Sequence, residues 1–170
     1  GEGSPLAGAI TEQAALGRSL LFMSEDGVAA GLVSIEDPLR PEAARVVETM
    51  RGLGMRRVLM LTGDDERTAR AVAAQVGITE FRAQVLPTDK ARIVQELAAE
   101  GCKVLMVGDG INDAPALSAA HVGVAMSDGT DLAREVANVL LTHPSLEGLI
   151  SARILGDRTL RRIHGNFVAT

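Results

Sequence analysis

From residue 58 onward the chain repeats one unit: a short, nearly all-apolar run, a turn of small and acidic residues, then an amphipathic stretch. Residues 58–61 lead through Thr62-Gly63-Asp64 into a helical pattern ending at Val76, and residues 81–84 lead through Leu86-Pro87 into a helix to Glu100. Residues 103–107 lead through Gly108-Asp109-Gly110 into a short helix through Leu117. Residues 122–126 precede a helix over 132–137, and residues 139–141 precede a last helix from about Ser145. Continuous apolar strands are buried on both faces, and strands alternating with helices pair in parallel. The fold class is therefore α/β, a doubly wound parallel sheet. Ligands of such sheets bind beyond the carboxyl ends of the strands, and that is where the polar turns of this chain fall.

Ahead of this repeat, apolar runs at 19–23 and 28–35 flank Glu25-Asp26-Gly27, the turn signal of an antiparallel hairpin. Asp37-Pro38 stops it. Pro41 suits the first position of a helix whose apolar residues Ala44, Val47, Met50 and Leu53 recur every three residues, with Gly52 and Gly54 ending it. Residues 1–17 are rich in small residues and read as a linker or short helix.

Composition excludes several functions. The 170 residues carry 17 Lys+Arg against 22 Asp+Glu, a net charge of −5, and only three are aromatic, so neither phosphate-backbone attraction nor base stacking supports nucleic-acid binding. Cys102 is the single cysteine, which rules out an internal disulfide. His121, His143 and His164 lie about twenty residues apart, so a zinc or copper site built by the chain is not expected. No run approaches the roughly 18 apolar residues of a membrane span, and the chain is expected to be soluble. It opens on Gly rather than Met, as a trimmed or excised piece would.

Three strand-end clusters carry chemistry. At Thr62-Gly63-Asp64 a hydroxyl and an open backbone N–H could hold a phosphoryl oxygen near a helix N-terminus; the alternative is a helix cap made by Thr62 or Asp64. In Leu86-Pro87-Thr88-Asp89-Lys90, a lysine in the first turn opposes the helix dipole, which suggests that Lys90 serves a bound anion, although a solvated surface lysine also fits. The run Gly108-Asp109-Gly110-Ile111-Asn112-Asp113-Ala114-Pro115-Ala116-Leu117 sets two carboxylates four apart in a glycine-bounded turn. Hard oxygen donors without thiol or imidazole suit Mg²⁺, which retains water and shares a phosphate. Asn112 could donate to the same phosphate. Asp-Gly and Asn-Asp are also ordinary turn residues.

Together these clusters resemble the haloacid dehalogenase superfamily, and more closely the phosphorylation domain of heavy-metal-transporting P-type ATPases. The resemblance runs from about Leu20 to Asn166. It rests on the TGD, LPxDK and GDGINDAPAL motifs, on Val122-Gly123-Val124-Ala125-Met126, and on Gly129-Thr130-Asp131 with Ala133, Glu135 and Ala137. Asp37-Pro38-Leu39-Arg40 favours the heavy-metal branch. It implies that Thr62 and Gly63 hold the phosphoryl group while Asp64 fixes their loop, that Lys90 neutralises the group, and that Asp109 is the main Mg²⁺ ligand. Asn112 and Asp113 complete the phosphate and metal shell, with Gly108 and Gly110 bounding the cofactor loop. In the family a glycine follows Val-Ala-Met; here Ser127 does, and Asp128 precedes Gly129.

The resemblance further implies an enzyme that couples ATP hydrolysis, through an aspartyl phosphate, to export of Cu⁺ or a similar ion bound in membrane helices. Residues 1–18 would be the tail of an upstream nucleotide-binding domain or a linker, residues 19–145 the phosphorylation domain on the cytoplasmic side, and residues 146–170 a basic helix leading toward a membrane span. The family's nucleophile is the Asp of a DKTGT strand, and that sequence does not occur here. Ser24-Glu25-Asp26-Gly27 offers only serine at the comparable place of a soluble phosphatase, which cannot form an acyl phosphate. The expectation is an isolated chain without transphosphorylation activity, marginally stable, or with the place of the missing central strand taken by residues 19–24 or a second chain. A free-standing hydrolase and a silent Mg²⁺- or phosphate-binding module are the other readings.

Overall fold

The computed structural model describes residues 7–15, 19–25, 27–35 and 38–168. A short helix α1 (Ala7–Ala15) precedes an antiparallel hairpin of β1 (Ser19–Glu25) and β2 (Val28–Ile35), paired from Ser19 opposite Ile35 to Glu25 opposite Val28. Gly27 takes the left-handed backbone (φ 78°) that the turn requires; Asp26 beside it, and Asp37 after β2, lie outside the described residues. Helix α2 (Ala43–Gly52) begins two residues later than Pro41 suggests, because residues 40–43 close a turn in which the Ala43 N–H donates to the Arg40 carbonyl at 2.9 Å. Its inner face is also displaced from the period-of-three reading. Val46 and Met50, one helical turn apart, are buried, whereas Ala44 is exposed.

The alternating unit then appears as expected, with boundaries shifted by one or two residues: β3 (Leu59–Leu61), α3 (Glu66–Gln75), β4 (Glu80–Arg82), α4 (Pro87–Ala99) and β5 (Leu105–Gly108). A 3-10 turn at Ile111–Asp113 runs into α5 (Ala114–Ala119), followed by β6 (Val122–Ala125), α6 (Asp131–Val136), β7 (Val139–Leu140) and α7 (Glu147–Val168). All strand pairs after the hairpin are parallel.

β5, β6 and β7 form one sheet in that order, covered on both faces. Val124 of β6 packs into a cluster with Val46 and Met50 of α2, Met126, Leu141, and Leu149 of α7; its neighbour Ala125 faces the opposite way, onto Leu117 of α5 and Ala133 of α6. Successive residues of one strand thus serve two cores, which is why the strand reads as uninterrupted apolar sequence. Gly123 completes the fit, since a Cβ there would lie 2.5 Å from the Leu117 carbonyl oxygen. This is the doubly wound arrangement that the strand–helix alternation implies.

β3 pairs only with β4, in a separate two-stranded sheet. Its helices bury Ala69 and Ala73 of α3 and Ile93 and Val94 of α4, and α4 packs on α5 to join the two halves. Thr62 bonds to Arg82 and Val85 on the β4 side, and Val104 and Gly108 carbonyls accept from Val122 and Met126 on the β6 side. Because pairing alternates along a strand, the backbone groups of Leu59 and Leu61 in β3, and of Leu105 and Val107 in β5, face away from their partner strands. Among the described residues no strand pairs with either of those outer edges. Residues 19–24 do not occupy them, contrary to one expectation: β1 pairs with β2 in a two-stranded sheet of their own.

Candidate functional site

The C-terminal ends of β3 and β5 carry the two halves of the site. After β3, the Thr62 hydroxyl donates to Asp64 Oδ2 at 2.6 Å, and the Asp64 N–H donates to Thr62 Oγ1 at 3.1 Å. Neither residue caps the next helix. Asp65 does: its carboxylate accepts from the Arg67 and Thr68 N–H groups at 2.8 and 3.1 Å and from the Thr68 hydroxyl at 3.0 Å. These bonds, the Thr68 backbone N–H foremost, hold Asp65 below the usual carboxylate range. With capping assigned to Asp65, Thr62 and Asp64 form a closed turn of their own, with Gly63 exposed at its tip.

Lys90, in the first turns of α4, is not a solvated surface lysine. Its Nζ donates to Asp113 Oδ1 at 2.7 Å, and the two side chains are only 15% and 12% exposed. Asp113 folds back under the loop against Gly108, where a Cβ would come within 2.6 Å of the Asp113 Cβ and 2.9 Å of its Oδ2. Gly108 is thus required sterically by the aspartate it faces. The Asp113 N–H donates to the Gly110 carbonyl at 3.1 Å, closing the 3-10 turn. Asn112 is exposed, and so is Asp109.

A cleft of about 480 Å³ lies between the halves, lined by Gly63, Gln84, Val85, Leu86, Pro87, Lys90 and Asn112. Three of the expected site residues therefore share one opening, and Asp113 reaches it through its bond to Lys90. Asp109 and Gly110 lie on the same loop as Asn112 but do not line that cleft. Asp109 instead has its backbone anchored, the Thr130 N–H donating to its carbonyl at 2.8 Å.

Sequence reasoning missed Asp65, which differs from Asp64 only by one place in a run of acids, and also Gln84. Gln84 has the one positive φ among the described non-glycine residues (52°) and donates its N–H to the Asp64 carbonyl at 2.8 Å. No residue signal marks a glutamine for that conformation.

The donor chemistry suits a hard cation: Asp109 and Asp113 carry carboxylate oxygens on one short loop, and no group of three or more His, Cys, Asp or Glu side chains able to hold a metal occurs among the described residues. Two carboxylates match an ion that keeps water and shares a phosphate.

The haloacid dehalogenase-like hydrolase family matches residues 4–121, and the chain belongs to that family. It is 49% identical over 148 residues to a manganese-exporting P-type ATPase of Mycobacterium leprae, covering 86% of this chain and 20% of that protein. It is 44% identical over 165 residues to the copper-transporting ATPase 2 of Mus musculus, covering 97% and 11%. The crystal structure of a zinc-transporting PIB-type ATPase in its E2·Pi state superposes with a TM-score of 0.81 at 40% identity, over 95% of this chain and 26% of that one. The chain spans about a tenth to a fifth of the length of these curated relatives. It corresponds to the phosphorylation domain of heavy-metal P-type ATPases, as the motifs imply.

Proposed function

We propose that this chain acts as the phosphorylation domain of an ATPase that exports a heavy-metal ion such as Cu⁺ through an aspartyl phosphate. The observation that carries the reading is that β3 and β5, which lead into Thr62 and Asp109, each pair with a strand on one edge only among the described residues; we read the two open edges as the sides of one seam. A third strand placed there, the DKTGT strand of the family, would present its aspartate between the two halves of the site. In the complete protein an upstream nucleotide-binding domain would deliver ATP, membrane helices would bind the transported ion, and this domain would lie on the cytoplasmic side. Among the described residues no helix is long and apolar enough to cross a membrane.

Each residue then has a task. Thr62 and Gly63 offer a hydroxyl and an open loop tip to the phosphoryl oxygens, in a turn that Asp64 holds closed. Lys90 opposes the negative charge that develops during transfer, and its ammonium is pre-positioned by Asp113. Asn112 donates to the phosphoryl group from the cleft wall. Asp109, with Asp113 behind it and Gly108 and Gly110 shaping the loop, would hold Mg²⁺. When bound, that ion supplies positive charge to the phosphoryl oxygens.

The test is acyl-phosphate formation from labelled ATP and Mg²⁺. The chain alone is expected to give none, and the chain extended upstream through a DKTGT segment is expected to give a hydroxylamine-labile phosphoprotein. Labelling of the chain alone would contradict the reading, since one of its own carboxylates would then be the nucleophile that the reading assigns to the DKTGT strand.

A further inference from the structure

The Asp109 loop is held in place by residues outside the three strand-end clusters that make up the site. Besides the bond from Thr130, Gly129 packs against it so closely that a Cβ would lie 2.8 Å from the Asp109 carbonyl oxygen and 3.2 Å from its Cα. The Gly129 N–H donates to the Met126 carbonyl at 3.1 Å, and the Met126 N–H to the Gly108 carbonyl at 3.2 Å. The turn at 126–130 is therefore the surface on which the Asp109 backbone rests. On its outer side, Asp128 Oδ2 accepts from Arg40 Nη2 at 2.9 Å, while Arg40 Nη1 donates to the Pro144 carbonyl at 2.7 Å. One guanidinium, from the turn before α2, thus ties two loops that lie 88 and 104 residues away in sequence. A planar fork suits this double duty.

We propose that Arg40 and Asp128 are positioning residues for Asp109, fixing through the 126–130 turn where its carboxylate stands to receive a divalent cation. Arg40 belongs to the Asp37-Pro38-Leu39-Arg40 run, and Asp128 stands where the 126–130 loop departs from the family's pattern. The side chains are 31% and 46% exposed, and a pair at that depth adds little to global stability. Its loss is therefore separable from unfolding. Neither residue is proposed as a cation ligand.

The proposal rests on the reading of Asp109 as the cation ligand, and the test separates the two. Mg²⁺ is titrated into the 170-residue chain while the amide signals of Asp109, Gly110 and Thr130 are followed by NMR. Asp128→Ser, which removes only the carboxylate of an exposed turn, is expected to weaken Mg²⁺ binding about tenfold, the low end for groups that orient a ligand from behind. Its melting temperature is expected to stay at the parent value, and Asp128→Glu to restore most of the affinity. If Asp128→Ser binds as the parent does while Asp109→Asn loses binding, the positioning role is overturned and the ligand reading stands. Parent-like binding by Asp109→Asn would overturn both.

Discussion

β6 and β3 are both short, apolar and parallel-paired, yet they sit in opposite circumstances. β6 has a neighbour on each edge, and Gly123, Val124 and Ala125 are buried; among the described residues β3 has β4 on one edge only, and Leu59, Met60 and Leu61 stay half-buried. β5, whose outer edge is likewise unpaired among the described residues, is also half-buried until Gly108. The contrast teaches where the stability of the domain lies and where its site is vulnerable. The framework is the β5–β6–β7 sheet with helices on both faces. The site is assembled from that framework and a second half, through the packing of α4 on α5 and the Lys90–Asp113 pair rather than through a continuous sheet.

The largest effect is expected inside the framework. Leu117 is 1% exposed and packs under β6, so Leu117→Ala is predicted to cost about 3–4 kcal/mol in denaturant unfolding. Next comes the joint between the halves: Asp113→Ala leaves the Lys90 ammonium largely buried without its partner, at a cost of roughly 2–3 kcal/mol. Beyond that cost, it should speed amide exchange in β3 and α4 more than in β6. Leu61→Ala, in the half-buried strand beside the seam, is predicted to cost only about 1 kcal/mol. An equal penalty for Leu61→Ala and Leu117→Ala would erase the comparison.

Acid should give the smallest and most distributed effect. Asp65 and Asp128 are held below the ordinary carboxylate range, Asp65 chiefly by the Thr68 N–H and Asp128 by the Arg40 guanidinium. Glu42 is held there by backbone N–H groups, its own and that of Leu146 at the start of α7. A carboxylate with a depressed folded pKa stabilises the fold above its unfolded value, near 4, and that contribution is lost as pH falls through the folded values. Melting temperature should therefore be flat from neutrality to about pH 5 and decline below about pH 4. A rise on acidification would reverse the sign and refute these assignments.

Much of this was legible in the residues because local patterns sufficed. The apolar runs between turn clusters located every strand after the hairpin, and the Gly108–Leu117 motif located the loop with both carboxylates. What was not legible depended on contacts between distant segments or on backbone angles. Asp64 and Asp65 are chemically identical, and only the extended backbone of Asp65 (φ −66°, ψ 160°) makes it the cap. Lys90 could not be told from a surface lysine until Asp113, 23 residues on, was found 2.7 Å away. The inner face of α2 follows Val46 because α7 and β6 lie on that side, a fact of packing and not of periodicity. Nor does any local signal join Arg40 to Asp128.

Amide hydrogen exchange tests most directly whether the outer edges of β3 and β5, with which no strand among the described residues pairs, are open. The Leu59, Leu61, Leu105 and Val107 amides of the 170-residue chain are predicted to exchange far faster than those of Val124 and Ala125. Protection of all four at the level of β6 would mean that both edges are already paired, leaving no open place for the DKTGT strand.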